Sequence, residues 1–115
     1  QVFFRARDPQ ALAAWYAEHL EVASFGPWHQ SEGISVFAPF PADTDYWPEA
    51  RQWMLNLRVV GLDALVARLE GAGIAVERRA EWDTPDTGRF ARITDPEGNP
   101  VELWEPPGGG EDAGA

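Results

Sequence analysis

The chain has 115 residues, no cysteine and a formal net charge of −10, from 19 acidic and 9 basic residues. This length allows one domain, or two half-domains that share a core. A chain this acidic repels the phosphate backbone of nucleic acids, and we therefore expect no nucleic-acid partner. The lack of cysteine excludes disulfides, thiolate metal sites and cysteine nucleophiles, and it fits a reducing cytoplasm, the expected location. No apolar run approaches the roughly 20 residues of a membrane span, so no membrane partner is expected.

The first half of the chain predicts a strand, a helix and two further extended segments. Residues 2–6 are extended, and Asp8 is placed to cap a helix whose first residue is Pro9. Residues 22–28 and 33–40 predict the extended segments. One face of the helix carries an apolar stripe of Leu12, Trp15, Tyr16 and Leu20.

The second half repeats this plan. Residues 53–59 predict a strand, and Gly71 and Gly73 are suited to end the helix that follows it. The apolar stripe of this helix consists of Leu62, Leu65, Val66 and Leu69. Further strands are predicted at residues 74–76, 89–94 and 101–105, the last two joined by a Pro- and Gly-containing turn.

The two halves also align with each other. An offset of 53 residues places residues 4–6 on 57–59, and an offset of 65 places residues 33–37 on 98–102. Two strands and a helix in the same order favour duplication. We therefore predict an α+β domain of two tandem β-α-β-β-β modules, residues 1–50 and 51–106. Their curved mixed sheet is expected to surround a cavity, with helices on the outer face and a flexible tail at 107–115.

Strand residues alternate between the two faces of a sheet, so each predicted strand has one apolar, helix-facing side. Aromatic residues mixed with a few polar groups on the other side are typical of a ligand pocket. The alternative is a dimer interface with internal salt bridges, such as Arg58 to Glu102. Both can hold at once, and a homodimer is expected. The predicted second face carries Gln1, Phe3, Arg5, Phe37, Met54, Asn56, Arg58, Phe90, Arg92, Glu102 and Trp104.

Three segments resemble a known family. They are residues 4–9 (Phe-Arg-Ala-Arg-Asp-Pro), residues 56–59 (Asn-Leu-Arg-Val) and residues 95–104 (Asp-Pro-Glu-Gly-Asn-Pro-Val-Glu-Leu-Trp). Together they are similar to the glyoxalase, bleomycin resistance and ring-cleaving dioxygenase group, the vicinal oxygen chelate superfamily. The resemblance covers about residues 1–106, and it indicates a fold more specifically than a reaction.

In metal-dependent members of this group, the ligands come from the first and last strands of each module. The resemblance maps these positions to Gln1, Phe37, Met54 and Glu102. Glutamate and glutamine are acceptable oxygen ligands, but phenylalanine cannot bind a metal and a methionine thioether suits hard divalent ions poorly. The mapped positions therefore predict that no intact metal centre is present.

Three functions follow from the resemblance and the second face. The first is binding of a small anionic or aromatic molecule, in which Arg5, Arg58 and Arg92 supply charge; the alternative role of each arginine is a salt bridge to a nearby Asp or Glu. Phe3, Phe90 and Trp104 form the walls of this site, with Phe37, Met54 and Asn56 beside them. The second is a metal-dependent lyase, isomerase or dioxygenase with Glu102 as both ligand and base. The third is sequestration of an antibiotic between two subunits. The irregular stretches hold Trp28, Tyr46 and Trp47, which either close the pocket or cover a partner.

Overall fold

The computed structural model describes residues 2–29 and 32–107. Gln1 and residues 108–115 lie outside this range, and with them one predicted metal ligand and most of the predicted tail. The helices are α1 (Pro9–Leu20), α2 (Leu62–Gly71) and a single 3-10 turn (Ala80–Trp82), and the strands are β1 (Leu55–Arg58), β2 (Arg89–Thr94) and β3 (Pro100–Glu105). Neither α-helix of the described chain has the length and apolar character needed to cross a membrane.

Helix α1 begins as its sequence predicts. The Asp8 side chain accepts a hydrogen bond from the backbone N–H of Ala11 at 3.1 Å, and Pro9 occupies the first turn, where a missing N–H costs nothing. The apolar stripe faces inward: Leu12 and Tyr16 are buried, and the other stripe residues pack partly buried beside them.

Helix α2 packs on the same side of the sheet as α1. Its buried residues are Leu62, Val66 and Leu69, and the helix ends at Gly71, as predicted. These residues join the inward side chains of all three strands in one continuous core. The sheet contributes Leu57, Ala91, Ile93, Val101 and Leu103 to this core. Burial of this apolar surface is the main favourable contribution to folding.

The strands form a mixed sheet in the order β1-β3-β2. Strand β1 runs parallel to β3, and β2 runs antiparallel to it. The strand predicted at residues 74–76 is not formed; the residue after it, Glu77, makes an isolated bridge with Arg92 on the far side of β2. Strand β1 is shorter than predicted, and Trp53, expected on the helix-facing side, is 77% exposed because it precedes the strand.

The first half of the chain contributes α1, but its described residues contain no strand. The segments 2–6, 22–28 and 33–40, predicted as strands, have irregular backbone. Their apolar side chains are largely exposed; Phe3 and Phe37, for example, are 90% and 91% exposed. An extended segment becomes a strand only when a neighbouring strand pairs with its backbone, and these segments have no such neighbour among the described residues.

The turn between β2 and β3 holds α1 against the sheet. Asp95 is buried, and its carboxylate accepts hydrogen bonds from the Tyr16 hydroxyl at 2.7 Å and from the backbone N–H groups of Glu97 and Asn99 at 2.9 Å. Glu97 in turn accepts the backbone N–H groups of Arg7 and Asp8, which precede α1. Much of the motif that resembles the family is therefore a structural connection between the first helix and the hairpin.

Candidate functional site

The face of the sheet opposite the helices carries a polar row that crosses all three strands. Asn56 on β1, Glu102 on β3 and Arg92 on β2 are direct neighbours in the strand register. They alternate with the core residues of the same strands, so their side chains point to the second face. Glu102 and Arg92 are nonetheless 6% and 8% exposed, so further groups cover them.

Glu102 is held by two hydrogen bonds. The Tyr46 hydroxyl donates to Oε2 at 2.5 Å, and the Asn56 amide donates to Oε1 at 2.7 Å. Burial, together with the carboxylate of Glu102 as hydrogen-bond partner, raises the pKa of Tyr46 to about 12. The carboxylate is thus placed as an acceptor between two donors, one from β1 and one from an irregular segment.

Arg92 lies under two aromatic rings. Its guanidinium carbon is 4.8 Å from the centre of the Tyr46 ring and 5.1 Å from the centre of the Trp82 ring. Each such contact contributes about 0.5–2 kcal/mol. In the part of the chain that the structure describes, no acceptor binds its buried Nε and Nη2 atoms. Burial of a cation whose N–H donors lack acceptors costs free energy unless another group supplies those acceptors.

A second row lies beside the polar one, one pleat further along the strands. Arg58, Trp104 and Phe90 are neighbours across β1, β3 and β2. The Trp104 and Phe90 rings are nearly parallel, with centres 6.4 Å apart, and the Arg58 guanidinium carbon is 4.9 Å from the centre of the Trp104 ring. Arg58 also donates to the backbone oxygen of Ile34. This row offers flat apolar surface with a cation at one end.

The remaining predicted site residues do not join these rows. Phe3, Arg5 and Phe37 are exposed, and no hydrogen bond, ion pair or ring contact connects them to the two rows within the described residues. Met54 is half-buried just before β1. The structure thus brings together six of the predicted residues, namely Asn56, Arg58, Phe90, Arg92, Glu102 and Trp104.

The cover of the polar row comes from residues outside the predicted strands. Tyr46 belongs to an aromatic cluster with Phe40, Trp47 and Trp82, in which ring centres lie 5.0–6.4 Å apart. The sequence predicts that Tyr46 and Trp47 either close the pocket or cover a partner, and it predicts no role for Trp82. The feature of the sequence that could have indicated this cover is the high density of aromatic residues in segments with no strand or helix pattern.

The donor atoms of the described residues do not fit a metal centre of the glyoxalase type. Glu102 already accepts from Tyr46 and Asn56, Phe37 has no donor atom, and Met54 offers only a thioether. Over residues 2–29 and 32–107, no three His, Asp or Glu side chains come together in an arrangement suited to a metal ion. Gln1 lies outside the described residues.

A cavity of about 580 Å³ lies at the open edge of β1, between the end of α1 and the start of α2. Leu57 and Arg58 line it from the strand, Leu65 and Arg68 from α2, and Trp28 from the segment after α1. Arg58 therefore borders both this cavity and the second face. Glu102 and Arg92 do not line it, so the polar row lies beneath the aromatic cluster and not in this cavity.

The fold and the second face define a small α+β domain with helices on one side of a mixed sheet and a polar and aromatic face on the other. The sequence model of a family described as glyoxalase-like domain matches residues 1–104. The chain belongs to this glyoxalase-like domain family.

Solved structures that resemble the chain include two from one organism. One is TnmS3, an antibiotic binding protein from Streptomyces sp. CB03234, with 28% sequence identity over 88% of each chain and a TM-score of 0.51. The other is a glyoxalase/bleomycin resistance protein from the same organism, with 28% identity over 86% of this chain and 92% of that chain and a TM-score of 0.48. Comparison with curated proteins found no match.

Proposed function

We propose that this chain binds a small organic molecule on the second face of its sheet, without an intact metal centre. The observation that carries the proposal is the pair of adjacent rows on that face. One row offers two buried charged groups beside an exposed amide, and the other offers stacked aromatic rings with an arginine at their end. Flat apolar surface beside a few fixed polar groups is what small-molecule sites present.

The ligand we favour is an antibiotic or a similar bulky organic compound. Support comes from TnmS3, an antibiotic binding protein at 28% identity that aligns over most of both chains. Binding would protect by sequestration and requires no turnover. The acidic charge of the chain is compatible with a cationic drug, whereas Arg58 and Arg92 favour an anionic group on the ligand.

The complete architecture is also part of the proposal: two tandem β-α-β-β-β modules whose sheets enclose the ligand, in a homodimer. The helix starts support duplication, because the offset of 53 residues places Pro9 on Leu62, the first residues of α1 and α2. The exposed apolar residues of the first half support pairing with a second copy. In this arrangement Phe3, Arg5 and Phe37 complete the walls of the site.

Binding is tested by thermal unfolding and tryptophan fluorescence against a panel of antibiotics that includes bleomycin, a cationic glycopeptide. A ligand at about 100 times its Kd is expected to stabilise the folded chain by about 2.7 kcal/mol. Trp104→Ala should abolish the shift, whereas Trp53→Ala, which removes a 77% exposed tryptophan outside the strand, should retain it. The proposal fails if no compound shifts the transition, or if both variants respond alike.

The alternative activity, a metal-dependent lyase, isomerase or dioxygenase, is tested separately by metal analysis. A divalent metal present at one ion per chain in the purified protein, and lost in Glu102→Gln, would overturn the proposal of binding without a metal. Retention of antibiotic binding by Glu102→Gln would in turn show that recognition does not depend on that carboxylate.

A further inference from the structure

Three charged side chains are buried among the described residues, and Arg92 differs from the other two. Asp95 and Glu102 each accept hydrogen bonds at both carboxylate oxygens. Nε and Nη2 of Arg92 have no acceptor within the described part of the chain, although the residue is only 8% exposed. Buried donors are rarely left unused, so this one calls for an explanation.

The natural partner of Arg92 is already engaged. Glu102 is its direct neighbour in the strand register, but its oxygens accept from Tyr46 and Asn56, and neither oxygen accepts from Nε or Nη2 of Arg92. The ring faces of Tyr46 and Trp82 lie against the guanidinium and stabilise its charge. A ring face accepts N–H groups much more weakly than an oxygen does, so the edge that carries Nε and Nη2 still lacks an oxygen acceptor among the described residues.

The free edge has a defined chemistry. Nε and Nη2 are the two donors on one side of the planar guanidinium, and they match the two oxygens of a carboxylate. A phosphate offers the same pair of oxygens, but its second charge would face the neighbouring Glu102 carboxylate in a chain of net charge −10. A carboxylate brings one negative charge to this place beside Glu102, whereas a phosphate brings up to two. The monoanion is therefore the better match.

We propose that Arg92 anchors the carboxylate of an aromatic acid, with the aromatic part of the ligand lying against Phe90 and Trp104. This proposal rests on the function proposed above and specifies its ligand. Arg92 and Phe90 are two residues apart on β2, about 7 Å along the strand, which an aryl carboxylate spans. Access to the free edge requires movement of the Tyr46 or Trp82 ring, and both come from outside the strands.

The test compares acids with their own amides. Naphthoate, cinnamate and indoleacetate are titrated into the full chain by calorimetry, each beside the corresponding amide, and naphthyl phosphate is titrated as a further arm. We expect the wild type to bind the acids more tightly than the amides. Arg92→Met should weaken binding of the acids about 10- to 100-fold and leave the amides unchanged, which is the loss expected for a charge-assisted pair of hydrogen bonds.

Two further variants separate recognition from folding. Arg89→Met removes an arginine of the same strand that pairs with Asp63 on the surface, and it should keep the preference for acids. Arg92→Lys keeps the charge but loses the planar two-donor edge, so it should reduce the preference for acids without abolishing it. Arg92→Met also loses the two ring contacts, so its Tm without ligand should fall slightly. A purely structural role would leave the ratio of acid to amide affinity unchanged, so an unchanged ratio in Arg92→Met would overturn the proposal.

The outcomes distinguish this inference from the proposed function. If acids and amides bind the wild type equally, or if Arg92→Met keeps the preference, ligand binding stands and the role of Arg92 is wrong. Tighter binding of naphthyl phosphate that depends on Arg92 would replace the carboxylate with a phosphate. If no probe binds and no antibiotic binds either, the proposed function fails as well.

Discussion

At the scale of single residues, Tyr46 gives the second face a measurable dependence on pH. Its pKa is raised from 10.0 to about 12, first by burial and then by the hydrogen bond to Glu102. The folded chain therefore holds this proton more tightly than the unfolded chain does. The resulting stabilisation is fully present below pH 10, and it is lost as the pH rises from 10 through about 12.

This dependence can be measured because the chain has only two tyrosines. Tyr16 is the other, and burial beside Asp95 raises its pKa as well. We expect phenolate absorbance of the native chain to rise only well above pH 10, and Tyr46→Phe to remove the lower of the two transitions. The fall in unfolding free energy above pH 10 should be smaller in this variant. Ionisation of Tyr46 near pH 10 in the native chain would contradict the contact with Glu102.

Gly88 is a residue for which only glycine fits. It adopts φ of +104°, and a Cβ atom there would overlap the backbone oxygen of Glu105 and press on Pro106. Gly88→Ala is expected to lower the unfolding free energy by about 1–3 kcal/mol, measured by urea denaturation. Gly71→Ala is the matched control, because a Cβ there meets nothing within 4 Å. Equal stability of the two variants would rule out the steric argument.

The residues of the second face divide into those that alternation predicts and those it does not. Asn56, Glu102 and Arg92 follow from the alternation of side chains along recognisable strands. Tyr46 and Trp82 do not, because one lies in an irregular segment and the other in a single 3-10 turn, and neither is long enough in one regular structure for a repeat of apolar residues to indicate where its side chain points. Which side chain covers a face then depends on how the chain folds back in three dimensions.

At the scale of elements, the β2–β3 turn depends on one carboxylate. Asp95 is 3% exposed and accepts from Tyr16 of α1 and from backbone groups of its own turn. Asp95→Ala leaves these donors without acceptors in a buried place and is expected to cost about 2–4 kcal/mol of unfolding free energy. Chemical denaturation measures this loss. Asp86→Ala, in an exposed loop, should lower the unfolding free energy much less. Equal losses in the two variants would contradict the role of Asp95 in holding the turn.

The helices could be predicted closely because their signals are local. The Asp8 cap and the apolar stripe of α1 lie within one segment, and the stripe of α2 ends at Gly71 as expected. The strands were harder to predict, because a strand forms only where a neighbouring strand pairs with its backbone. Residues 89–94 pair fully, whereas residues 74–76 form no strand and only the next residue, Glu77, makes a bridge.

At the scale of the whole molecule, the exposed apolar residues of the first half predict self-association. Phe37→Asp should shift sedimentation from dimer toward monomer, because it places a charge at a position that is 91% exposed in the single chain and lies on the predicted second face. Phe25→Asp, at an equally exposed residue outside that face, is the matched control. A monomeric wild type, or equal effects of both variants, would contradict the predicted dimer.

The charge of the chain adds a second expectation for the dimer. Two copies that each carry −10 repel one another, and salt screens that repulsion over about 10 Å at 0.1 M ionic strength. Dimer formation should therefore strengthen as salt is raised, as measured by sedimentation. A dimer held mainly by the Arg58–Glu102 type of ion pair would instead weaken.

Alternation along β3 has a consequence for how this protein can evolve. Val101 and Leu103 belong to the core, while Glu102 and Trp104, the next residue in each case, belong to the second face. Selection for a new ligand can therefore act on one set of positions while selection for a stable fold acts on the other. Substitutions at the core positions and substitutions at the second-face positions can therefore accumulate in the same six-residue strand with little effect on one another. A descendant could keep its core and still acquire a different second face.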